Sequence, residues 1–500
     1  MSDTPHRILI ISVGSRGDAQ PYIALANRLI GAGHEVALAL NGPFEDFVKD
    51  NCIGATFYPL AGDPAELIQS KEFEDAFYSG NFTEITKIMT DTMKRDAPVN
   101  MKRLHDYVRE YKPTCILGGV VNTGEALALG QKYLIPVIFA TTIPAYPSED
   151  APLIGVTVKP VGNKWLNRNL NRLAWKLQWL AMGEPVQELR KQLGLPTIDN
   201  GGFDSAPILN MFSNLVFPRP ADYPPHVIDT SYWVLPPTDD YVPPQELSDF
   251  LDAGSPPVYI GFGSMPVRDK QSILKMFSTC LTRTGNRAIY CGGWSKIDDI
   301  EAPENIFMIK GAPHEWLLPK CAMAFHHGGA GTTAASLRAG IPTIILSVLI
   351  DQPFWSHRVV QLGVGQDHPC ALKDLTESYL LHQMEHCQKE RIRQKAKELG
   401  EKLRQEDGTF IAASYIVSYA SKNRNPGVEQ LNYLPDSSTS NCMDCKTPFT
   451  LLNRRHHCMT CGSIFCSNCV KYFDIPNYET FRYCCRACAK LRRFDFDAQK

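Results

Sequence analysis

The amino-terminal part of the chain alternates short continuous apolar runs with stretches of helical apolar spacing. Arg7–Val13 is an uninterrupted run rich in β-branched residues, which is typical of a strand buried on both faces. A glycine turn follows, and Pro21–Ile30 carries apolar residues at the period of a helix that ends at Gly31. Glu35–Leu40 has the pattern of the next strand. This order predicts a βαβ unit and therefore a parallel α/β sheet.

The same opening recurs in the second half of the chain. Val258–Ser264 again passes from a strand pattern into a glycine-containing loop. Lys389–Glu406 predicts a charged helix, and Ile411–Tyr419 predicts an apolar helix that could pack on either lobe. Further short apolar runs predict strands at Cys115–Val121, Pro136–Ala140, Ala288–Cys291, Ile306–Ile309, Ala322–Phe325 and Thr343–Leu346. The pattern therefore predicts two Rossmann-like α/β lobes.

A proline-rich stretch and a polar stretch give the predicted domain limits. A proline-rich stretch at residues 219–244 marks the expected join between the lobes, and a polar stretch at residues 421–427 is typical of a linker. The predicted domains are a first lobe at residues 1–218, a second lobe at 219–420, a linker at 421–431 and a small C-terminal domain at 432–495.

Charge and composition narrow the functional classes. The formal net charge is −2, which argues against nucleic acid as a partner, but residues 421–500 hold 12 Lys and Arg against 7 Asp and Glu. This basic tail either indicates an anionic partner or is ordinary surface charge. The start lacks a signal-peptide pattern, and no stretch approaches the ~18 consecutive apolar residues of a membrane span. We therefore expect a cytoplasmic chain, in which clustered cysteines bind metal more often than they form disulfides.

Each predicted lobe has a polar glycine loop where a strand gives way to a helix, at the edge where α/β sheets bind ligands. In the first lobe this loop is Gly14, Ser15, Arg16, Gly17 and Asp18. Asp18 either caps the following helix or acts as a general base. The loop lacks a GxGxxG pattern, which argues against a dinucleotide-dependent oxidoreductase.

In the second lobe the loop at residues 326–333 reads HHGGAGTT. Its glycines allow backbone N–H groups to approach a phosphate, and a helix N-terminus favours the negative charge. His327 and the two threonines add side-chain donors. Asp351 and Gln352 follow one predicted strand later, and a carboxylate beside an amide suits recognition of sugar hydroxyls. This order predicts a site for a nucleotide sugar.

Together these segments resemble the family-1 type glycosyltransferases of the GT-B fold, in the branch that holds the sterol glucosyltransferases and the bacterial antibiotic glycosyltransferases. The resemblance covers residues 6–420. It rests on Gly14–Tyr22, Pro313–Trp316, His327–Thr333, Gly340–Pro342 and Asp351–Gln352. It implies an acceptor site in the first lobe, a donor site in the second lobe and inverting transfer without a catalytic metal.

The resemblance also implies roles for single residues. Asp18 matches the general base, at the end of the loop formed by Gly14, Ser15, Arg16 and Gly17. Ala335 stands where the plant small-molecule members carry a ribose-binding Glu, which places the chain in the sterol-like branch. Donor contacts are implied for Ser264, Ala312, His327, Gly329, Gly331, Thr332, Thr333, Asp351 and Gln352.

Nine of the 16 cysteines lie in the last 60 residues, and eight of them form four CxxC pairs. The pairs are Cys442 with Cys445, Cys458 with Cys461, Cys466 with Cys469, and Cys485 with Cys488. Eight thiolates are enough for two tetrahedral structural zinc sites. A segment of this size has too small a core to fold unaided, so we expect zinc to supply the missing free energy.

The sequence RRHHC at residues 454–458 resembles the basic signature of the FYVE finger, a reader of phosphatidylinositol 3-phosphate on endosomal membranes. Met459 replaces the last arginine of that signature, and Arg482 is one residue out of register if Cys485, rather than Cys484, binds zinc. Cross-bracing implies one zinc on Cys442, Cys445, Cys466 and Cys469, and the other on Cys458, Cys461, Cys485 and Cys488. Lipid contacts are implied for Asp436, Arg454, Arg455, His456 and His457, with Leu451 and Leu452 in the membrane-inserting loop.

The leading hypothesis is an inverting glycosyltransferase that moves a hexose, with UDP-glucose the expected donor, to a hydroxyl of a membrane lipid, with a sterol the favoured acceptor. The finger is expected to hold the enzyme peripherally on endosomal or other phosphoinositide-bearing membranes. Two alternatives stay open: a transferase for a soluble natural product, and a membrane-binding adaptor with inactive lobes. The finger itself could instead bind a protein. The aromatic stretch Trp165–Leu180 is either core or a second membrane contact.

Overall fold

A computed structural model gives the fold of the chain. It describes residues 5–198, 202–237, 241–263, 265, 269–293, 301–423, 434, 436–450, 452–458, 463–473 and 482–486. Ser264, Cys461, Cys488, Leu451 and residues 424–431 of the predicted linker lie outside the described residues.

The first lobe is built on a seven-stranded parallel sheet with the order β3-β2-β1-β4-β5-β6-β7. The strands are β1 (Arg7–Ile11), β2 (Glu35–Asn41), β3 (Thr56–Leu60), β4 (Cys115–Gly119), β5 (Val137–Thr141), β6 (Ile208–Asn210) and β7 (Val227–Asp229). The helices are α1 (Arg16–Gly31), α2 (Glu45–Asn51), α3 (Pro64–Ile68), α4 (Lys71–Tyr78), α5 (Phe82–Tyr111), α6 (Thr123–Tyr133), α7 (Lys164–Met182) and α8 (Glu184–Gln192). Strands β1, β4 and β5 are almost wholly buried because helices cover both sheet faces.

The second lobe repeats this plan with a six-stranded parallel sheet of order β10-β9-β8-β11-β12-β13. Its strands are β8 (Val258–Gly261), β9 (Ala288–Cys291), β10 (Ile306–Ile309), β11 (Met323–His326), β12 (Thr343–Ser347) and β13 (Cys370–Ala371). Its helices are α9 (Gln245–Asp252), α10 (Lys270–Thr284), α11 (His314–Leu317), α12 (Ala330–Ala339), α13 (Gln352–Leu362), α14 (Glu377–Cys387), α15 (Glu390–Arg404) and α16 (Gly408–Asn423).

The predicted two-lobe α/β architecture is confirmed, and the predicted strands β9 and β10 have the observed bounds. Two features formed by residues distant in the sequence do not follow the predicted domain limits. Strand β7 completes the first sheet although it follows residue 218, within the stretch predicted as the join. Helix α16 crosses back and packs on α1, where Ala412 and Ile416 enter the core of the first lobe. The last helix before the finger therefore connects the two lobes.

The C-terminal domain consists of two small antiparallel ribbons. Strand β14 (His456–His457) pairs with β15 (Ile464–Phe465), and β16 (Val470–Phe473) pairs with β17 (Arg482–Cys485). The domain contacts the first lobe, where Lys446 Nζ donates to Thr197 Oγ1 at 3.4 Å. Within the described part of the chain, no helix combines the length and the apolar character needed to cross a bilayer.

Candidate active site and zinc centre

Asp18 lies in the first turn of α1, directly after β1. Its Oδ2 accepts hydrogen bonds from the backbone N–H of Ser15 at 2.8 Å and from Ser15 Oγ at 3.0 Å, which forms the capping box that starts the helix. Asp18 therefore does cap the helix, but both bonds use one oxygen, so Oδ1 is available to an incoming hydroxyl. Burial raises the pKa of Asp18, and the two bonds from Ser15 oppose that shift.

The loop before Asp18 is held by two asparagines from neighbouring strand ends. Asn122 Oδ1 accepts from the backbone N–H of Val13, and Asn41 Oδ1 accepts from the N–H of Gly14, each at 3.0 Å. Gly14 has a φ of +144°, and a Cβ atom there would overlap the Asp18 carboxylate. Only glycine therefore allows the chain to pass this close to the candidate base.

The second glycine loop connects β11 to α12. The helix begins at Ala330 with Gly329 as its N-cap, so the first backbone N–H groups of α12 point out of the loop. The His327 ring packs between two glycines, and a Cβ atom on Gly329 would overlap its Nε2 while one on Gly263 would lie 2.8 Å from its Cε1. Around Gly331, in contrast, a Cβ atom would meet nothing within 4 Å, so the space over the helix N-terminus is open.

Two polar side-chain atoms in this loop are buried without a hydrogen-bond partner among the described residues, namely His327 Nδ1 and Thr333 Oγ1. A buried polar atom without a partner costs about 1–3 kcal/mol, so such a pair indicates that a ligand completes the site. Burial lowers the pKa of His327 to about 4, opposed by the Gly261 backbone. The imidazole is therefore neutral near pH 7, and in the tautomer with its proton on Nδ1 that N–H can donate to a phosphate oxygen.

His327→Ala is expected to weaken binding of UDP by about 10- to 100-fold, because a hydrogen bond to a charged group is worth about 1.5–3 kcal/mol. Isothermal titration with UDP measures the effect. His226→Ala is the matched control, since His226 Nε2 is also buried without a partner in the described part of the chain but lies beside Tyr146 in the first lobe. Equal UDP affinity of the parent and the His327→Ala protein would contradict the phosphate assignment.

Asp351 and Gln352 start α13, but their side chains point to different surroundings. Asp351 Oδ2 accepts from Trp355 Nε1 at 2.8 Å. Gln352 is buried, and its Oε1 accepts from the backbone N–H groups of Val348 at 2.8 Å and Leu349 at 3.2 Å. The amide oxygen of Gln352 is thus already occupied by the loop that leads into α13. Asp351 therefore stays the candidate sugar contact of the two.

The pKa of Asp351 predicts an acid-sensitive donor site. Burial raises this pKa to about 6, the bond from Trp355 opposes the rise, and the negative charge of Asp18 adds to it. As the pH falls through about 6, the carboxyl group becomes neutral and stops accepting from two sugar hydroxyls at once. We expect KM for the donor to rise below that pH, and Asp351→Asn to remove this dependence. A donor KM that stayed constant across this range would contradict the assignment.

The two lobes bring these loops to one cleft. Helix α1 contacts α12 across it, and Asp18 lies close enough to Asp351 for their charges to interact. Arg16, which also stacks on Phe47 at 4.4 Å, likewise interacts electrostatically with His314 of the second lobe. The candidate base of one lobe therefore faces the candidate donor site of the other.

The remaining predicted donor residues sit around the same loop. Ala312 and Thr332 are half-buried, Gly331 is exposed at the first turn of α12, and Thr333 is buried. Ser264 lies outside the described residues, directly after Gly263, whose φ of +61° turns the chain toward His327.

Sequence reasoning did not identify several polar residues that the fold brings to this region. Asn41 and Asn122 lie at the carboxyl ends of β2 and β4, and Trp355 lies one helical turn after Asp351. Glu125, in the first turn of α6, has a buried Oε2 without a partner in the described part of the chain, and burial raises its pKa to about 7. Their positions at strand ends were the available signal, since ligands bind there in parallel sheets.

Four cysteines of the C-terminal domain form a metal-binding geometry. The sulfur atoms of Cys442, Cys445, Cys466 and Cys469 all lie within 4.8 Å of one another, and Cys445 Sγ is 3.6 Å from Cys466 Sγ. Sulfur atoms bound to a tetrahedral zinc at ~2.3 Å stand about 3.8 Å apart, so the set fits one zinc ion. The backbone N–H of Cys466 donates to Cys442 Sγ at 3.3 Å, and such a bond stabilises the negative charge of a thiolate.

The two described cysteines of the second predicted zinc site, Cys458 and Cys485, are joined by the same kind of N–H to sulfur bond. The backbone N–H of Cys485 donates to Cys458 Sγ at 3.3 Å. In both cases the first cysteine of a later pair donates to the first cysteine of an earlier pair. Cys484 and Cys485 occupy adjacent positions of β17, so their side chains point to opposite faces. The repeated relation favours Cys485 as the ligand, while Cys461 and Cys488 lie outside the described residues.

The basic segment lies beside this centre. Arg454 and Arg455 are exposed, and Arg455 stacks over Phe449 at 4.8 Å. His456 and His457 form β14 and are half-buried. The His457 ring contacts the Leu434 carbonyl at 2.8 Å and lies 3.6 Å from the Asp436 carboxylate; the exposed Leu452 side chain is 98% accessible. The segment thus presents guanidinium groups next to a projecting apolar side chain.

Comparison with known proteins identifies these parts. The FYVE zinc finger family model matches residues 432–493, the glycosyltransferase family 28 N-terminal domain matches residues 8–108, and the erythromycin biosynthesis protein CIII-like C-terminal domain matches residues 294–406. Two sterol 3-beta-glucosyltransferases of Arabidopsis thaliana are 32% identical over 434 residues and 31% identical over 426 residues, each across 81% of this chain. The chain belongs to the sterol 3-beta-glucosyltransferase family.

The chain spans 67% of the length of the first of these relatives and 64%, just under two thirds, of the second. Among solved structures, the glycosyltransferase of kitacinnamycin superposes with a TM-score of 0.61 at 18% identity, covering 83% of this chain and 99% of that one. That likeness shows the GT-B fold. The family and the fold thus agree with the two lobes and the finger described above.

Proposed function

We propose that the protein is an inverting glycosyltransferase that moves a hexose from a nucleotide diphosphate sugar to the hydroxyl of a membrane sterol. The observation that carries this proposal is that His327 Nδ1 and Thr333 Oγ1 are buried without a partner among the described residues, in the loop leading into α12, which contacts the helix of Asp18. Donors fixed over a helix N-terminus stabilise the charge that develops on a leaving diphosphate. Asp18 takes the proton of the acceptor hydroxyl as the new glycosidic bond forms on the opposite face of the sugar.

The acceptor and the donor sugar are inferred from the family. The relatives are named for glucosyl transfer to the 3-beta position of a sterol, which supports a sterol acceptor and a glucosyl donor, for which we propose UDP-glucose. The direct test incubates the full chain with UDP-glucose and a panel of sterols and soluble alcohols, with detection of UDP and product. Transfer to soluble alcohols alone would support a natural-product acceptor. No UDP release with any acceptor would support an inactive adaptor.

The finger is proposed to hold two structural zinc ions and to bind phosphatidylinositol 3-phosphate, which would place the enzyme peripherally on endosomal membranes. The proposed lipid site consists of Asp436, Arg454, Arg455, His456 and His457. Guanidinium groups suit phosphate because they donate two parallel hydrogen bonds. The projecting Leu452 adds apolar insertion of about 1.5–3 kcal/mol, so the phosphate contacts must provide the selectivity.

Replacing Arg454 and Arg455 by alanine is expected to reduce binding to vesicles that contain phosphatidylinositol 3-phosphate by at least about 100-fold, because two charge-assisted contacts are lost. Zinc content should not change, since no cysteine is touched. Transfer to sterol in detergent should persist, while transfer to sterol in vesicles should fall because the local enzyme concentration falls. Co-sedimentation measures binding. Lys471→Ala, which removes a cation of β16, is the matched control.

If the doubly substituted protein sedimented with these vesicles as well as the parent does, the lipid-binding role of the segment would be wrong. The finger would then be better explained as a protein-binding surface.

A further inference from the structure

Helix α7 of the first lobe has a row of exposed apolar side chains on one face and two buried asparagines on another. Its outer face consists of Trp165, Leu166, Leu173, Leu177 and Leu180, which are 67%, 37%, 50%, 57% and 77% exposed. The four leucines recur at the spacing of one helix face. A contiguous exposed apolar stripe of this kind is uncommon on a monomer and indicates a surface that contacts a partner.

The inner face of the same helix explains why its leucines point outward. Asn167 is fully buried, and its Nδ2 donates to the carbonyl oxygens of Ser148 at 3.0 Å and Ala151 at 2.7 Å. Asn171 is also buried and donates to Ala151 at 3.3 Å. These bonds fix the rotation of the helix about its axis, so the leucine face cannot turn into the lobe without leaving buried amides unpaired.

The charge of α7 indicates what its outer face contacts. The helix contains Lys164, Arg168, Arg172 and Lys176 and has no acidic residue. Among the described residues, Lys164 and Arg168 form ion pairs with Asp150 and Glu149, whereas Arg172 and Lys176 are exposed beside the leucines and form none. A helix with basic side chains next to an apolar face suits the interface of an anionic bilayer.

We propose that the outer face of α7 is a second bilayer-binding element, selective for anionic phospholipid surfaces. It lies in the same part of the first lobe as the finger contact, since α7 packs on α8 and the segment after α8 holds Thr197, which bonds to Lys446. The helix and the finger then bring the first lobe to the bilayer that contains the acceptor. The inference rests on the proposed membrane acceptor, but binding itself requires no sugar transfer.

The test uses the full chain and vesicles of phosphatidylcholine, with or without phosphatidylserine and without any phosphoinositide. The parent should bind the phosphatidylserine vesicles, and Leu177→Glu with Leu180→Glu should weaken that binding by at least about tenfold, because two leucines no longer insert. Arg172→Ala with Lys176→Ala should weaken it by about fivefold per charge. Ile53→Glu is the matched control, because Ile53 is 88% exposed elsewhere on the first lobe.

A second measurement uses the fluorescence of the exposed Trp165 side chain. Its fluorescence should shift to the blue on addition of phosphatidylserine vesicles, and the shift should be absent from Trp165→Phe. If the parent does not bind these vesicles, or if the leucine variant binds them as well as the parent does, the inference is overturned. Transfer to sterol dispersed in detergent tests the proposed activity separately. A failure of vesicle binding and a failure of sugar transfer can therefore be told apart.

A different observation independently supports a metal site on the second lobe. Asp367, before β13, lies against His382 and His386, which α14 presents one turn apart. His382 Nε2 is 2.7 Å from Asp367 Oδ2, and His386 Nδ1 is 3.5 Å from the same oxygen. The other carboxylate oxygen accepts from Gln383 Nε2 at 2.8 Å and lies 2.7 Å from Nδ1 of the exposed His368 ring. Two imidazoles and an oriented carboxylate form a set that zinc accepts, with water as the fourth ligand.

We propose that Asp367, His382 and His386 bind one Zn²⁺ ion that joins the segment before β13 to α14. Ligand atoms around a tetrahedral zinc at ~2.1 Å stand about 3.4 Å apart, so binding requires only that Asp367 and His382 separate slightly as the metal replaces their shared proton. This ion would be additional to the zinc of the finger.

Zinc content of the full chain after dialysis against dilute Zn²⁺, measured by mass spectrometry of the metal, tests this site. His382→Ala should contain one zinc fewer per chain than the parent. His105→Ala should match the parent, because among the described residues His105 lies beside one carboxylate, that of Asp106 at 3.8 Å, and the Tyr133 ring, and belongs to no cluster of metal ligands. Equal zinc content in the parent and the His382→Ala protein would overturn the site. The His382 side chain is exposed, so the variant should keep the unfolding temperature of the parent, which checks that it is folded.

Discussion

Asp18→Asn is expected to lower the rate of sugar transfer by about 10²- to 10⁴-fold, the usual contribution of a general base. The amide cannot accept the proton of the acceptor hydroxyl. It can still accept the two bonds that Asp18 takes from Ser15, so α1 should start normally. Binding of UDP should stay near the parent value because the phosphate loop belongs to the other lobe. Initial rates with sterol in detergent measure the loss.

The matched control for this substitution is Asp63→Asn. Asp63 also caps a helix, and its Oδ1 accepts from the backbone N–H of Ala65 at 2.8 Å, but it starts α3 instead of facing the donor loop. Its activity should equal that of the parent. If Asp18→Asn retained more than about a tenth of the parent rate, Asp18 would be a helix cap only and not the base.

Removal of zinc from the finger is expected to unfold the C-terminal domain while both lobes stay folded. Structural zinc contributes about 10–16 kcal/mol in small fingers, more than the stability of a typical small domain. Cys466→Ser should act in the same way, since it removes one of the four clustered sulfur atoms. Limited proteolysis measures the loss of protection in the finger, and UDP binding reports on the lobes.

Cys370→Ser is the control, because Cys370 is a free, half-buried thiol on β13 of the second lobe. It should keep the full zinc content and a protease-resistant finger. A finger that remained as resistant after chelation as before would show that its two ribbons do not depend on metal, and the zinc assignment would then fail.

The features that the sequence determined by itself are those encoded over short distances along the chain. The apolar runs that became β1 and β9 can be recognised because a strand buried on both faces has no polar position to interrupt it. The CxxC pairs likewise identify a zinc centre, because the two ligands of each pair are three residues apart in any fold. Edge strand β3 and the long helix α5 lacked such an uninterrupted signal and were not predicted.

Tertiary structure decided which distant residues meet. Asn41 and Asn122 hold the loop of Asp18 only because β2 and β4 flank β1 in the sheet, and strand order is not written in local periodicity. Asp18 and Asp351 face each other only because the lobes pack across α1 and α12. The outward leucines of α7 have the pattern of an ordinary core helix, and it is the buried amide of Asn167, bonded to the carbonyl of Ala151 in the segment before the helix, that turns them to solvent. Helical periodicity specifies an apolar face, but the contacts on the opposite face determine whether it lies in the core or outside.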